Sequence, residues 1–392
     1  MKILIDFTQI STQKAGVGVY ALNLVKHLSM IDDDFHCYVL VQDDDVSLDD
    51  IHGGTISIIK IRSRIFRIFI LRILLEQLYI PYLVFRLGIN VVHSLHYSFP
   101  LFVMAKKVVT VHDMSFFKYP ELHEPIKVAY FKAFIKMSSL LADKIICVSA
   151  STRKDYVSKF EAASNKTNVV YHACSNEFTP DIDNSAVSRV KIKYGIDSEY
   201  FLFIGTLEPR KNILAIIRAF DRFNNQNGHY KLVIAGKKGW HYDDIFTLVQ
   251  RLGIADRILF TGFVHETEKP SLLVGATAFI YPSIYEGFGI PVLEALACGT
   301  PTVTSNVSSM PEVAGDAALL VDPENSDEIF IAINKIVNDP NLRRELKMRS
   351  LQQAEKFSWM KTAKETYAVY KDLATIKKPQ GQFRGSSRID FK

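Results

Sequence analysis

Short apolar runs alternate with helix-periodic runs over residues 1–172. KILIDF (2–7), CYVLV (37–41), NVVHS (90–94), KVVTVHD (107–113) and KIICVS (144–149) read as strands. GVYALNLVKHLSM (18–30), VAYFKAFIKMSSLLA (128–142) and TRKDYVSKF (152–160) read as helices between them. A polar, aperiodic segment follows at 172–185, and then the alternation restarts. YFLFIG (200–205), KLVIAG (231–236), ILFTGF (258–263), AFIYPS (278–283), TPTVTS (300–305) and AALLV (317–321) read as strands, with helical patterns interposed. Strands alternating with helices imply parallel sheets built by crossovers. The pattern therefore predicts two Rossmann-like doubly wound domains facing a ligand cleft. The predicted limits are 1–175 for the first domain, 176–197 for a linker and 198–355 for the second domain. A helix over 356–375 is predicted to cross back over both domains, and the basic, Gly/Ser/Pro-containing tail 376–392 to be disordered.

Composition narrows the class. A chain of 392 residues suits two domains, and 48% hydrophobic with 23% charged residues is ordinary for a globular protein. A net charge of +5 gives no ground for expecting a nucleic-acid partner. Cys37, Cys147, Cys174 and Cys298 form no CxxC pair and are expected to be free thiols in a reducing compartment. MKILIDFTQ lacks the apolar region of a signal peptide, so a cytoplasmic location is expected. Residues 60–86 are distinctive. Lys60, Arg62, Arg64, Arg67, Arg72 and Arg86 stand against one acid, Glu76, and interleave with Phe66, Ile68, Phe69, Ile70 and Leu71. The segment is too charged to span a bilayer. It suits either an anionic membrane surface or a helix pair packed on its own domain.

Four motifs carry candidate chemistry. In IYEGFGIPVLEALACGTP (284–301), Pro291 and Gly299 bracket a short helix that follows the strand AFIYPS. Glu286 lies on the loop and Glu294 inside the helix. Gly287 and Gly289 are expected to let backbone approach a ligand closely, with the helix start facing an anion. The two acids can then grip two parts of one extended ligand. In FIGTLEPRKN (203–212), Arg210 and Lys211 precede a helix, where cations oppose the macrodipole unless both address an anion such as a diphosphate. KAGVGVY (14–20) places Gly16 and Gly18 in a GxGxxA spacing, but too far beyond the strand for a dinucleotide fingerprint. A glycine loop overhanging the cleft is the expectation. In TVHDMSF (110–116), His112 and Asp113 end a strand on the ligand-binding side of such sheets. His93 and His96 form another pair at a strand end, without the further acceptors a metal site would need.

Together, EGFGIPVLEALACGTP, GTLEPRKN, KAGVGVY and VHDMSF resemble glycosyltransferase family 4, and most resemble its mannosyltransferase-type members that build bacterial polysaccharide. The resemblance covers residues 1–375. It implies a GT-B fold and retaining transfer of a hexose, mannose favoured, from a nucleotide diphosphate sugar such as GDP-mannose to a saccharide or lipid-linked acceptor. It implies that Glu286 reaches the sugar hydroxyls and Glu294 the ribose. Gly287, Phe288 and Gly289 would lie beside sugar and diphosphate, with Lys211 and Arg210 on the phosphates and His112 near the reacting sugar. Gly16 and Gly18 would belong to the loop closing over the donor, and Gly262 and Val264 to the strand end that holds the base. Thr206 stands where many members carry an arginine, so either Arg210 supplies that charge or this subgroup does without it. No cofactor or metal is expected. A GT-B epimerase or phosphorylase is the alternative activity. The acids of VLVQDDD (39–45) do not outweigh the second Rossmann-like half as evidence for a metal-dependent GT-A transferase.

Overall fold

The computed structural model describes residues 1–12, 14, 16–51, 54–62, 68–226 and 228–375. The tail 376–392 and residues 63–67 of the basic stretch thus lie outside the described residues.

The strands form two all-parallel sheets, each turned into its own domain core by crossover helices. The first domain contains β1 (Lys2–Asp6), β2 (His36–Gln42), β3 (Ile56–Ile61), β4 (Val91–Ser94), β5 (Lys106–Val111), β6 (Lys144–Cys147) and β7 (Thr167–Val169), in the order β3-β2-β1-β4-β5-β6-β7. The second contains β8 (Tyr200–Ile204), β9 (Lys231–Ala235), β10 (Ile258–Gly262), β11 (Ala278–Tyr281), β12 (Thr302–Ser305) and β13 (Ala318–Val321), in the order β10-β9-β8-β11-β12-β13. Strand order reverses between β1 and β4 in one sheet and between β8 and β11 in the other. Crevices form at such switch points, and here both open toward the other domain.

Two strands and one helix depart from the sequence pattern. β3 lies at a sheet edge and is only partly buried, and β7 has three residues. The segment 176–197, read as a linker, contains the helix Asn184–Tyr194. Asp183 caps it by accepting from the Ser185 N–H at 3.1 Å, and Gly195 ends it in the left-handed region, where glycine meets no Cβ penalty. Its buried Val190 joins the second domain's core.

The last helix, Trp359–Thr375, runs from the second domain to the first. Trp359, Ala363, Tyr367, Tyr370 and Leu373 pack into the first domain's core with Tyr20, Leu24 and Leu28 of the helix Val17–Leu28. Each large apolar side chain buried this way contributes about 1.5–3 kcal/mol. The chain end thus fastens the two domains to each other. Among the described residues, no helix is long and apolar enough to cross a membrane.

Candidate active site

The loop after β11 is built around Glu286. Its carboxylate is buried and accepts from Ser283 Oγ at 2.7 Å, Tyr281 Oη at 3.0 Å, Arg210 Nη1 at 3.2 Å and Lys211 Nζ. Its backbone N–H donates to Ser308 Oγ at 2.9 Å, and its carbonyl accepts from Ser309 Oγ at 3.0 Å. Burial alone would raise its pKa, but Arg210 and Lys211 outweigh burial and hold it down at about 2. Arg210 and Lys211 arrive on the loop after β8, across the switch point. The Arg210 guanidinium spans Glu208 (2.9 Å), Glu286 and the Tyr285 carbonyl (3.0 Å), with Asp113 of the other domain at 4.0 Å. Burial and the neighbouring Arg210 charge push the Lys211 pKa down.

Glu294 has the opposite setting. It is buried one turn into the helix Ile290–Ala297, and its Oε2 has no hydrogen-bond partner. Lys269 is the nearest cation, at 4.0 Å. Burial raises its pKa to about 7, against a weaker opposing pull from Lys269.

From the first domain, His112 lies just beyond the end of β5 with its Nε2 at 2.7 Å from the Leu95 carbonyl. A carbonyl only accepts, so Nε2 carries the proton and Nδ1 is the acceptor. Burial pushes the imidazole pKa down to about 4, which keeps the ring neutral.

These groups line one cleft of about 390 Å³ between the domains, together with Gly16, Thr206, Gly287, Phe288 and Gly289. A smaller cavity of about 100 Å³ continues from it past Thr206 and Lys269 to Phe263 and Val264. Two expected residues lie elsewhere. Gly18 is in the first turn of the helix Val17–Leu28, not in an overhanging loop; only Gly16, with φ of 46°, forms the turn at the cleft. Gly262 lines neither cavity, and its carbonyl accepts from the Gly236 N–H at 2.8 Å.

The glycines of the loop also meet a demand of the protein's own packing. A Cβ on Gly287 would stand 1.7 Å from the His112 carbonyl oxygen, and one on Gly289 2.2 Å from Met310. Protein approaches these positions on the side where a side chain would project. Gly287 is where the two domains touch, and its carbonyl accepts from Thr152 Oγ at 3.1 Å.

Further contacts hold the cleft at this width. Tyr285 Oη donates to Asp155 at 2.8 Å and accepts from the Met114 N–H at 3.1 Å. The Glu312 carboxylate accepts from the N–H groups of Ala150 and Ser151, at the start of the helix Ala150–Lys159, and from Tyr171 Oη at 2.6 Å. A carboxylate from one domain thus caps a helix N-terminus of the other. Nothing in the local sequence around Lys269, Ser308, Glu312 or Tyr285 signals these roles, because each depends on a distant partner. Among the described residues, no group of three or more His, Cys, Asp or Glu side chains is arranged to hold a metal ion. Asp45, from the acidic run after β2, pairs with Lys14 and accepts from Ser47 Oγ at 2.6 Å.

Two Rossmann-like sheets with a cleft at facing switch points define the GT-B architecture. The comparisons place it more closely. Residues 15–177 match the Glycosyltransferase Family 4 model, and residues 187–353 match Glycosyl transferases group 1. The chain is 36% identical over 272 residues to O-antigen chain mannosyltransferase B of Escherichia coli, across 69% of this chain and 71% of that protein. It is 34% identical over 227 residues to the serotype-specific mannosyltransferase WbdA of Escherichia coli, which covers 57% of this chain but only 28% of WbdA. Sucrose-phosphate synthase from Thermosynechococcus elongatus has the same fold, with a TM-score of 0.76 at 19% identity over 96% of this chain and 100% of that one. Anabaena HepE in complex with UDP-glucose matches with a TM-score of 0.74 at 17% identity over 96% and 100%. The chain belongs to glycosyltransferase family 4 and is a glycosyltransferase.

Proposed function

We propose that the protein transfers a mannosyl group from GDP-mannose, with retention of configuration, to a lipid-linked saccharide during assembly of a cell-surface polysaccharide. In this reading it works as a peripheral protein on the inner face of the cytoplasmic membrane. The observation that carries the reading is the divided cleft. A charge-balanced cluster of Arg210 and Lys211 with Glu208 and Glu286 lies at one end, and a buried carboxylate oxygen without a hydrogen-bond partner, that of Glu294, at the other. Mannose and the polysaccharide context are carried over from the relatives' names.

In this reading Glu294 accepts from the ribose hydroxyls and Glu286 from hydroxyls of the sugar. Gly16, Thr206, Phe288 and Gly289 line the donor's path, and Val264 borders the base. The bond between the anomeric carbon and the diphosphate oxygen breaks through an oxocarbenium-like transition state as negative charge grows on the phosphate. Arg210 and Lys211 are already oriented by their acidic neighbours and stabilise that charge. One such preorganised contact is worth about 3 kcal/mol of barrier. These cations make a metal unnecessary, so transfer should persist in excess chelator. The acceptor oxygen attacks from the face the diphosphate leaves, and its proton goes to the departing phosphate. Glu286, held by four donors, orients the sugar and does not attack it. Neutral His112 accepts from a sugar hydroxyl through Nδ1. The relatives named as transferases give no support to an epimerase or phosphorylase.

The test is a calorimetric panel of nucleotide sugars on purified protein. Saturable binding of GDP-mannose with UDP-sugars silent is expected. Binding of UDP-glucose in preference to GDP-mannose would overturn the donor assignment. The anomeric coupling constant of the product reports retention, and a trapped glycosyl-Glu286 adduct would refute front-face attack.

A further inference from the structure

The basic stretch of the first domain folds into a helix that changes its winding midway. Phe69–Leu74 is α-helical, Leu75–Tyr79 is a π-turn with i→i+5 bonds, and Ile80–Leu87 is α-helical again. Its inner side is ordinary core, with Leu75, Ile80, Leu83 and Val84 packed on Leu4, Leu40 and Val92 of the sheet. The outer side is apolar too. Ile70, Leu74, Leu78, Tyr82 and Phe85 are between 46% and 79% exposed.

The spacing of four between Ile70, Leu74, Leu78 and Tyr82 is what the π-turn explains. At 3.6 residues per turn, each step of four overshoots by about 40°, so three steps would carry Tyr82 about a third of the way around the helix. An i→i+5 turn takes more residues per revolution and so winds back against that drift. The stripe stays on one line. The same π-turn buries Glu76, which accepts from Arg72 at 3.1 Å, Ser98 Oγ at 2.7 Å and Gln9 Nε2 at 3.2 Å.

A neighbouring loop widens the patch. Gln77 holds it, accepting from the Leu101 N–H at 2.9 Å and donating to the Phe99 carbonyl at 3.0 Å. Val103 turns inward to the same core, and Phe102 and Met104 point outward at 83% and 87% exposure. Apolar patches of this extent mark interaction surfaces.

Charge selects the occupant. Glu76 is the one acid of this helix, and it is buried against Arg72. Exposed positive charge comes from Arg62, just after β3, and from Arg86 in the last turn, whose guanidinium donates to Tyr82 Oη at 3.1 Å. An apolar stripe with a basic and tyrosyl border at Arg86, and no exposed acid among the described residues of the helix itself, fits the headgroup boundary of an anionic bilayer.

We propose that this face docks on an anionic lipid surface, with Leu74, Leu78, Phe85, Phe102 and Met104 among the acyl chains and Arg62 and Arg86 at the headgroups. The proposal deepens the reading of a lipid-linked acceptor and rests on that reading for its purpose. The inner side of the helix bonds through Glu76 to Gln9, on the loop that leads to Gly16 at the cleft. Docking would therefore seat the cleft beside the membrane.

The experiment is flotation of the full-length protein with vesicles of phosphatidylglycerol and phosphatidylethanolamine, and separately of phosphatidylcholine alone. Wild type is expected to float with the anionic vesicles and not with the neutral ones. The double variant Leu78→Ser/Phe102→Ser, at exposed positions, is expected to lose at least tenfold in bound fraction with an unchanged melting temperature. Arg62→Gln/Arg86→Gln is expected to lose binding to anionic vesicles about as strongly. Wild type that fails to float, or a serine variant that floats equally, overturns the proposal. So does sedimentation of wild type as a dimer and the serine variant as a monomer, which would make the face a contact between two copies. Vesicle-free binding of nucleotide sugars reads the donor separately, so a wrong donor leaves this surface standing.

Discussion

Glu286 and Glu294 lie on one loop and helix, yet their carboxyl groups titrate in opposite directions. Two cations hold Glu286 at about 2, and burial lifts Glu294 to about 7. Ribose hydroxyls can donate only to the ionised form of Glu294 in full, so a bound nucleotide must displace its proton near neutrality. GDP binding at pH 6.5 should therefore release about three-quarters of a proton, and affinity should fall as pH drops below 7, approaching about tenfold per pH unit. Titration calorimetry in two buffers of different ionisation enthalpy measures this directly. Glu294→Gln should abolish the buffer dependence, and a buffer-dependent heat that survives in this variant would assign the proton elsewhere. Glu286 makes a different prediction. Its removal leaves Lys211 and Arg210 buried without their shared anion, and breaking such a pair costs about 3 kcal/mol. Glu286→Ala should unfold at lower denaturant by that amount. GDP should then raise its melting temperature more than it raises that of wild type, because the diphosphate replaces the missing charge. Equal shifts in the two proteins would mean that Arg210 and Lys211 do not address the diphosphate.

Among the elements, the loop after β11 separates what sequence pattern reveals from what it hides. The strand, the helix and both glutamates were legible, because proline, glycine and apolar runs mark local backbone states. The reason for Gly287 was not, since it is set by the His112 carbonyl of the other domain. β3 escaped notice because an edge strand need not be wholly apolar, and β7 because three residues show no period. The helix Asn184–Tyr194 buries only Val190, so it carries no apolar stripe to read. Gly287 also gives the prediction of this scale. Its conformation is accessible to any residue, but a methyl group there meets backbone at 1.7 Å and neither domain can yield locally. Gly287→Ala should wedge the cleft open. We expect far-ultraviolet circular dichroism like that of wild type, a larger radius of gyration by small-angle scattering, and transfer reduced at least 100-fold. Transfer within threefold of wild type would show that the domains need not close this far.

At the scale of the whole molecule, three buried histidines sit where the first sheet, the cleft loop and the returning helix meet. His93 has both ring nitrogens engaged, by Tyr370 Oη at 2.6 Å and Thr110 Oγ at 2.8 Å. His112 and His172 have ring centroids 5.6 Å apart, and Trp359 of the returning helix lies 5.9 Å from His172. Burial depresses all three, His93 to about 3, His112 to about 4 and His172 well below its ordinary value. As pH falls below 6.5 the unfolded chain takes up these protons and the folded one does not, so stability falls with pH through this range. Glu294 opposes the trend with one proton, because its raised pKa makes the folded state the better proton binder between 4.5 and 7. His96, lowered to about 3, adds a fourth proton to the trend, and Glu76, raised to about 6, opposes it with a second, so the net is about two protons, or about 2 to 3 kcal/mol lost per pH unit between pH 6 and 4.5. Below 4.5 the depressed Glu286 adds to the loss. The returning helix should release with the first domain, since its Tyr370 and Trp359 pack against the titrating rings. Of the two tryptophans, Trp359 is 4% exposed and Trp240 already 41%. Acidification should therefore red-shift the emission of Trp359 in a Trp240→Phe variant at a pH above that of global unfolding by guanidinium-free circular dichroism, or together with it. His93→Gln, which keeps a polar group for Tyr370 and Thr110 but cannot take up a proton, should move the midpoint to lower pH. An unchanged midpoint would place the acid sensitivity outside this seam.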